Sequence, residues 1–544
     1  METLKPGTQG RQAPDPSSRL LPIRRAAILA LVFLVGLLSG AAFLLAFYPA
    51  FFHSDSAAHQ VLAQAMIDQG SLVPTDFAYG NQIIIWRNNL FIAPVLALGF
   101  SGYTAYWLGS ALHIALAFVA AFLCIELLVG DWRRALLATW LFFLPLGHTE
   151  NDFVLGQQSH LALVVFSLII VVLAFRATEG SRRAAILCAM AVFAVVLEAP
   201  ARAVMIVVPL TITLGLTHRL RRARALGIAV VAALVLGLLG NRWLVSTHQV
   251  QGIGAMPLAR YEQFVTRMNE LLRHFVDHYI GFWQFAGQVS EPGYLLLYGI
   301  KTLALLAYGV AAMVLGTRAL RRFRAGAGGG HVTAVEFVGI AGVASVLVGA
   351  FSVCAIEYWL YVRHILWALA LLKLAIILAA LEALGRHVRS PLKLTVLACV
   401  TAAVASTAVT RFLSPQSYAR LKQEFIEHRD IPEFGRVQAR MAEFGIRRIY
   451  GEHWEVLRTE VLIPGAQASV IAVQQGEVRF VNFLTRSSRR CGRDDVLYIL
   501  DRGIAEQALI ANELLANGGR LVENLVGNKG LYLGPPVWSQ VGCS

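Results

Sequence analysis

Apolar runs that recur along the chain constrain its fold more than any other feature of the sequence. A helix needs about 20 apolar residues to cross a bilayer. Such runs predict membrane spans at 26–48, 104–128, 134–147, 159–175, 184–198, 202–217, 226–240, 295–316, 334–354, 364–385 and 394–411. Several of them are short, which indicates tilted helices or displaced boundaries. The apolar segment 90–100 is too short for a span and is predicted to be re-entrant or interfacial.

The charge balance is typical of a membrane protein. Charged residues make up 15% of the chain, against about 25% in soluble domains. A net charge of +14 would also suit a nucleic-acid-binding protein. Here, however, the Lys and Arg residues cluster between the apolar runs, where membrane topology explains them. We therefore expect a lipid bilayer as partner and no nucleic acid.

The basic clusters also orient the predicted spans. They lie near 19–25, 133–134, 176–183, 219–224, 318–324 and 386–393. With these spans every cluster falls on one side, which the positive-inside rule assigns to the cytoplasm, and the span number must be odd, about eleven. We predict a polytopic α-helical membrane protein with a cytoplasmic tail at 1–25, a membrane domain at 26–413 and an outer C-terminal domain at 414–544.

Three long segments are predicted on the outer side: the loops 49–89 and 241–293, and the C-terminal domain. In that domain we expect helices at 418–427, 437–444 and 505–517, and strands at 448–450, 461–463, 470–473 and 496–500. This alternation is typical of a small α/β or α+β domain. An oxidising outer compartment permits a Cys491–Cys543 disulfide, and two free thiols are the alternative. The other cysteines, Cys124, Cys188, Cys354 and Cys399, are predicted to be buried in apolar surroundings.

An acidic residue follows the first predicted span directly. Asp55 lies in FFHSDSAAHQ, about one turn beyond the membrane boundary. A carboxylate there can deprotonate an acceptor hydroxyl or hold a cation. The alternative is an N-cap for the following helix, although Ser54 can cap in its place. That helix is predicted to be amphipathic over 59–66 and to lie on the membrane surface.

A second group of ionisable residues occupies the short outer turn GHTENDFVLGQQSH. It contains His148, Glu150, Asp152 and His160. Imidazoles and carboxylates of this kind bind metals or phosphate-bearing substrates. The spacing matches no strong metal signature, so a solvated polar loop is the alternative.

Two further groups lie at other predicted outer turns. Glu198 and Arg202 are four residues apart, and ionisable groups at membrane depth face a cavity or each other. A structural ion pair is therefore the alternative to a site. Tyr361, Arg363 and His364 lie in IEYWLYVRHILW. Arg suits bidentate phosphate contact, whereas an aromatic belt with a snorkelling Arg is the alternative.

Taken together, these features resemble the GT-C superfamily of polyprenyl-phosphate-sugar-dependent glycosyltransferases. The resemblance rests on Asp55 after the first span, Gly80 before the apolar segment 90–100, the string around Arg363, and the outer C-terminal domain with GIRRIYGEHWEVLRTEVLIPG. Lipid A aminoarabinose transferases and protein O-mannosyltransferases share this plan. The chain departs from it in having a lone Asp55 without an Asp-Glu pair, and Arg-His where Arg-Tyr is common.

The resemblance implies a membrane enzyme of the bacterial inner membrane with its site on the periplasmic face. It implies transfer of a sugar from a polyprenyl-phosphate donor to a glycan, lipid or protein hydroxyl. A secondary transporter and a glycan polymerase or ligase are the alternatives. The implied residues are Asp55 in catalysis; Arg363, His364 and Arg202 on the donor phosphate; His148, Glu150, Asp152, His160, Glu198 and Tyr361 on substrate; and Asp55, Glu150 and Asp152 on a divalent metal ion, whose presence stays open.

Overall fold

The computed structural model describes residues 16–46, 48–250, 258–280, 292–325, 332–356, 362–387, 431–474, 477–480, 484–486, 495–525 and 527–536. Most of the membrane part is helical. In chain order its helices are α1 (Pro16–Ala46), α2 (Ser54–Gln69), α3 (Asn89–Ala97), α4 (Gly102–Val129), α5 (Trp132–Phe143), α6 (His148–Glu150), α7 (Leu161–Thr178), α8 (Arg182–Glu198), α9 (Pro200–Leu216), α10 (Arg224–Thr247), α11 (Tyr261–His274), α12 (Pro292–Ala325), α13 (Ala334–Ala355) and α14 (Leu366–His387).

Seven helices within these ranges are long and apolar enough to cross a membrane, namely α1, α4, α7, α10, α12, α13 and α14. The chain is therefore a polytopic helical membrane protein, but the predicted number of eleven spans is not confirmed. The predicted span 134–147 is the 12-residue helix α5, which ends at Phe143. At about 1.5 Å per residue this helix is too short to cross a bilayer. The predicted span 394–411 lies outside the described residues.

Helices α8 and α9 are 17 residues each and are separated by a break at Ala199. Proline lacks an N–H and fits the first turn of a helix, so Pro200 starts α9 where α8 has ended. Helix α10 continues to Thr247, so the first residues of the predicted loop 241–293 are helical. Of the cysteines predicted to be buried, Cys124, Cys188 and Cys354 are buried; Cys399 lies outside the described residues.

Small residues allow neighbouring helices to approach closely. A Cβ on Gly36 of α1 would lie 2.8 Å from the Cβ of Phe118 on α4, and one on Gly237 of α10 would lie 2.7 Å from the Cβ of Val196 on α8. Both distances are shorter than a van der Waals contact. Membrane helices pack through such positions because lipid gives little hydrophobic drive for their association.

Basic side chains join several helix ends at one end of this bundle. The contacts are Arg25 with Glu126, Arg176 with the Leu127 carbonyl, Arg219 with Thr178 and the Val332 carbonyl, and Arg322 with Glu336. They bring together the start of α1 and α13 and the ends of α4, α7 and α12. Four of the six basic clusters therefore lie at the same end. The cytoplasmic assignment of that end stays a prediction.

The segment 431–536, which we term the C-terminal module, contains a six-stranded sheet. Its helices are α15 (Ile431–Phe444), α16 (His453–Leu462) and α17 (Ala505–Ala516), and its sheet strands are β2 (Arg448–Gly451), β3 (Gln467–Gln474), β4 (Glu477–Phe480), β6 (Val496–Asp501), β7 (Arg520–Asn524) and β8 (Lys529–Gly534). The strand order is β4-β3-β2-β6-β8-β7. Strand β2 is parallel to β3 and β6, and the other pairs are antiparallel.

One predicted strand of this module is wrong. The segment 461–463 does not pair in a sheet, because Val461 and Leu462 are the last residues of α16. Buried Leu457 and Val461 are four residues apart, which is a helical spacing. A three-residue apolar run carries too little periodicity to separate a strand from a helix end.

The C-terminal module docks on the segment between α1 and α3. Strand β1 (Phe77–Ala78) pairs antiparallel with β5 (Thr485–Arg486) of the module. Arg486 also forms ion pairs with Asp68 and Asp76. Helix α16 packs along α2. As a result most of α2 is buried, from Ser54 to Met66, so the predicted amphipathic surface helix over 59–66 is wrong. The segment 90–100 overlaps the nine-residue helix α3, which begins at Asn89 and packs on α2 and α4.

Candidate functional site

Asp55 lies in the first turn of α2 and contacts the C-terminal module. Its Oδ1 is 3.0 Å from Nε2 of His453, the first residue of α16. The Asp55 and His453 side chains are 21% and 11% exposed. His53 is the N-cap of α2, because its Nδ1 accepts the backbone N–H of Asp55 at 3.2 Å. Neither Asp55 nor Ser54 caps the helix, so the capping alternative for Asp55 is wrong and its carboxylate is turned toward other partners.

The same His53 connects α2 to the second acidic turn. Its Nε2 is 3.1 Å from Oδ1 of Asp152. Since Nδ1 accepts a backbone N–H, a neutral His53 ring carries its proton on Nε2 and donates it to Asp152. The Tyr48 hydroxyl donates to the same Asp152 oxygen at 3.1 Å and lies 2.6 Å from Ser56 Oγ. Two carboxylate–imidazole pairs, Asp55 with His453 and Asp152 with His53, therefore lie next to each other.

The surroundings of Asp55 keep its carboxyl group ionised. Burial alone would raise the pKa of the Asp55 carboxyl. The hydrogen bond from His453 and the charges of His53, His453 and Arg363 each lower the pKa, and together they outweigh the effect of burial. The pKa of Asp55 thus lies well below its usual range, and the group is a carboxylate at neutral pH. Arg363, which lies just before α14, is thus within electrostatic reach of Asp55.

Arg363 belongs to a cluster of basic side chains at the starts of α7, α9 and α14. Its guanidinium lies 5.1 Å from the centroid of the Phe153 ring. The rings of His160 and His364 are 6.3 Å apart in an edge-on arrangement. Burial lowers the pKa of His160 well below its usual value, and the charges of Arg202, His364, Arg363 and Arg87 lower it further. His160 is therefore neutral, and we name Arg202, Arg363, His160 and His364 the basic cluster.

Glu198 has a cationic partner from the first outer loop. Its Oε1 accepts from Arg87 Nε at 3.2 Å, and Oε2 accepts the backbone N–H groups of Ile85 and Trp86 at 3.2 and 2.9 Å. Burial and the Arg87 charge lower the pKa of nearby His59 to about 3, so this ring is neutral. The positive charge of Arg87 is thus neutralised by the Glu198 carboxylate. An ion pair for Glu198 was among the sequence interpretations, but Arg87 was not foreseen as its partner.

A small crevice lies beside the basic cluster. Its walls include Trp86, Leu163, Phe166 and Val195, and Arg202 and Glu198 also line it. The Trp86 indole is fixed by a 2.9 Å hydrogen bond to the Ala194 carbonyl. Ligand pockets combine apolar walls with a few placed polar groups in this way. Apolar side chains therefore adjoin the charged Arg202 and Glu198 at this crevice.

Glu150 belongs to a different network from Asp152. Its carboxylate lies 3.0 and 3.2 Å from Lys373 Nζ of α14 and accepts from the Leu146 N–H at 2.7 Å and the Tyr279 hydroxyl at 2.9 Å. Both charged side chains are under 10% exposed. Glu150 therefore fastens the second acidic turn to the bundle and does not face Asp55.

The predicted metal ligands do not fit a metal site in the part of the chain that is described. No three His, Cys, Asp or Glu side chains in these ranges group together as a metal would require. Oxygens of Asp55, Glu150 and Asp152 already accept from His453, Lys373 and His53 respectively. We therefore assign no metal here.

Several predicted site residues cannot be placed. Tyr361, Cys491 and Cys543 lie outside the described residues, and for His148 the backbone alone is described. Of the others, the structure brings Asp55, Asp152, His160, Arg202, Arg363 and His364 to one end of the bundle. Sequence reasoning missed His453 and Arg87. Comparisons with protein-family profiles, curated proteins and solved structures found no match to this chain, so the resemblance to the GT-C superfamily stays a prediction.

Proposed function

We propose that the chain is a GT-C-type glycosyltransferase that moves a sugar from a polyprenyl-phosphate donor to an acceptor hydroxyl. One observation carries the proposal: the ionised Asp55 carboxylate lies within electrostatic reach of Arg363, and the basic cluster borders a crevice with apolar walls. A lipid phosphate needs an apolar path for its chain and guanidinium groups for its charge. An acceptor hydroxyl needs a carboxylate close to that phosphate.

The reaction would be a single displacement at the sugar C1. The acceptor oxygen bonds to C1 while the bond from C1 to the phosphate oxygen breaks, and its electron pair leaves with the phosphate. The hydroxyl proton passes to Asp55. Arg363 and Arg202 would stabilise the charge on the departing phosphate. Because its pKa is low, the Asp55 carboxylate accepts the proton late in the displacement. Until then its negative charge stabilises the positive charge that develops on the sugar ring.

The membrane orientation is part of the same proposal. The end of the bundle that carries Arg25, Arg176, Arg219 and Arg322 would be cytoplasmic by the positive-inside rule. The site and the C-terminal module would then be periplasmic, in the inner membrane of a bacterium, with a Cys491–Cys543 disulfide permitted there. Eleven spans would require α8, α9 and the segment 394–411 to cross as well, and the 12-residue α5 to cross a locally thinned bilayer.

Substitution of Asp55 tests the catalytic role. We expect Asp55→Asn to abolish transfer from synthetic polyprenyl-phosphate sugars to cell-envelope acceptors in proteoliposomes, because Asn cannot accept the proton. Glu179→Gln, an exposed change at the opposite end of the bundle, is the control and should transfer normally. Near-normal transfer by Asp55→Asn at equal protein levels would refute the role.

Donor binding can be tested without an acceptor. Loss of a charge-assisted hydrogen bond costs about 1.5–3 kcal/mol, or roughly 10- to 100-fold in affinity. We expect Arg363→Ala and Arg202→Ala each to weaken binding of polyprenyl phosphate by this factor in native mass spectrometry, and Glu179→Gln to leave it unchanged. Equal binding by all variants would place the lipid elsewhere.

A secondary transporter is the second candidate, and one observation favours it. The Glu150–Lys373 pair is buried where α14 enters the bundle, and buried ionisable pairs at membrane depth often mark ion pathways. A transporter predicts solute flux into empty proteoliposomes that Glu150→Gln abolishes. The glycosyltransferase predicts no such flux, and a loss of product with Asp55→Asn.

A further inference from the structure

The membrane helices alone leave the candidate site incomplete. The side-chain hydrogen bond to Asp55 comes from His453 of the C-terminal module, 398 positions along the chain. Within the described ranges Oδ1 is the carboxylate oxygen that accepts this side-chain bond. Its occupation leaves Oδ2 as the oxygen to receive the proton of an acceptor hydroxyl.

His453 lies just beyond a strand end of the sheet, at a position where α/β folds place functional groups. Strand β2 leads through α16 to β3 on one side, and β6 lies on its other side. The order of strands therefore reverses next to β2, and ligand sites in open α/β sheets lie at the carboxyl ends of strands at such a point. His453 is the second residue after the end of β2. In this chain that edge of the sheet faces the N-terminus of α2, where Asp55 lies.

Contacts around the pair hold His453 in place. The Trp454 ring lies edge-on to the His453 ring at 5.1 Å and within 6.2 Å of the His53 ring. The β1–β5 pairing and the Arg486–Asp76 ion pair fasten the module to the same outer loop. Helix α16 therefore has a fixed position relative to α2, and so has the imidazole relative to Asp55.

We propose that His453 is a positioning residue that makes sugar transfer depend on docking of the C-terminal module, by orienting the Asp55 carboxylate toward the acceptor. This inference rests on the proposed function. His453 does not itself take the acceptor proton. It fixes Oδ1 and so sets the direction of Oδ2, and a misplacement by about 1 Å can cost about 100-fold in rate.

The experiment uses the full chain in proteoliposomes with a polyprenyl-phosphate sugar as substrate. We expect His453→Ala to lower kcat about 10- to 100-fold with little change in the donor KM. His453→Gln keeps an N–H donor of similar reach and should recover most of kcat. Glu455→Gln, on the same helix and paired with Lys529 at 2.8 Å, is the matched control and should act as the parent does.

The outcomes separate the two proposals. If Asp55→Asn abolishes transfer but His453→Ala keeps the parental kcat, the positioning role is wrong and the glycosyltransferase stands. If His453→Gln is as defective as His453→Ala although it elutes and melts as the parent does, the donated hydrogen bond is not the cause and the inference is also wrong. Near-normal transfer by Asp55→Asn would refute the proposed catalytic role itself. Should His453→Ala fail to fold, His453→Gln is compared with the parent. A folded His453→Gln that loses transfer would overturn the inference, and one that keeps most of kcat would support it.

Discussion

Loss of Lys373 should destabilise the protein strongly, because it would leave the buried Glu150 carboxylate without its cation. Lys373 Nζ lies 3.0 Å from Glu150 Oε2 and also donates to the Leu144 carbonyl at 2.6 Å. The charged side chains of the pair are 7% and 8% exposed. Removal of one partner of a buried pair costs about 3–5 kcal/mol.

The remaining partners of Glu150 set the expected magnitude. In Lys373→Met the carboxylate would keep the Leu146 N–H and the Tyr279 hydroxyl. The cost should therefore lie near the lower limit, about 3 kcal/mol, or roughly a 100-fold change in the unfolding equilibrium. The double variant Lys373→Met/Glu150→Gln carries no buried charge at this place. It should be more stable than Lys373→Met alone.

The assay is the unfolding equilibrium in mixed micelles of a mild detergent with increasing dodecyl sulfate, followed by tryptophan fluorescence. Arg134→Met removes the exposed ion pair of Arg134 with Asp131. Exposed pairs contribute about 0.2–1 kcal/mol, so this control should change little. The reasoning is wrong if Lys373→Met and Arg134→Met unfold at the same dodecyl sulfate content. It is also wrong if the double variant is less stable than Lys373→Met alone.

Three further changes have defined outcomes. Gly156→Ala should destabilise by about 1–3 kcal/mol in the same unfolding assay, since its Cβ would lie 1.9 Å from Cε2 of Tyr48. Arg486→Ala should speed amide hydrogen exchange at β1 and β5, because it removes the ion pairs of Arg486 with Asp68 and Asp76. Unchanged exchange would contradict the docking contact. The pKa of Asp55 is lower in the folded protein, so its ionised form stabilises the fold above the ordinary carboxyl pKa of about 3.9 and this contribution disappears as pH falls through the folded value. The difference in melting temperature between the parent and Asp55→Asn should thus be constant from about pH 8 to 5 and shrink at lower pH.

The sequence predicted the helical membrane class because apolar run length is a direct physical requirement of the bilayer. It was less informative on the number of spans. Run length counts apolar residues whether or not the backbone continues as a helix, and the chain turns at Ala199 and after Phe143 inside apolar stretches. Helix ends of this kind depend on proline placement and on tertiary contacts.

The candidate site was predictable where its residues lie close together in sequence or at successive outer turns. Asp55 and Arg363 were singled out from such turns, and the structure places them within electrostatic reach of each other. Their roles stay predictions. His453 could not be foreseen as a neighbour of Asp55, because no local pattern reports a contact between segments 398 positions apart. Likewise, the burial of α2 depends on α16, which the apolar pattern of α2 itself does not reveal.

The pairing of β1 with β5 has a consequence for how the protein is made. Phe77 is paired with Arg486, so the first outer loop emerges long before its partner strand has been synthesised. Contacts this distant in sequence form late, because the closure of a long loop must precede them. Until then α2 lacks the cover of α16. We expect a nascent or truncated chain to insert its helices and yet hold Asp55 without His453. An incomplete protein would therefore reach the membrane before it could act there.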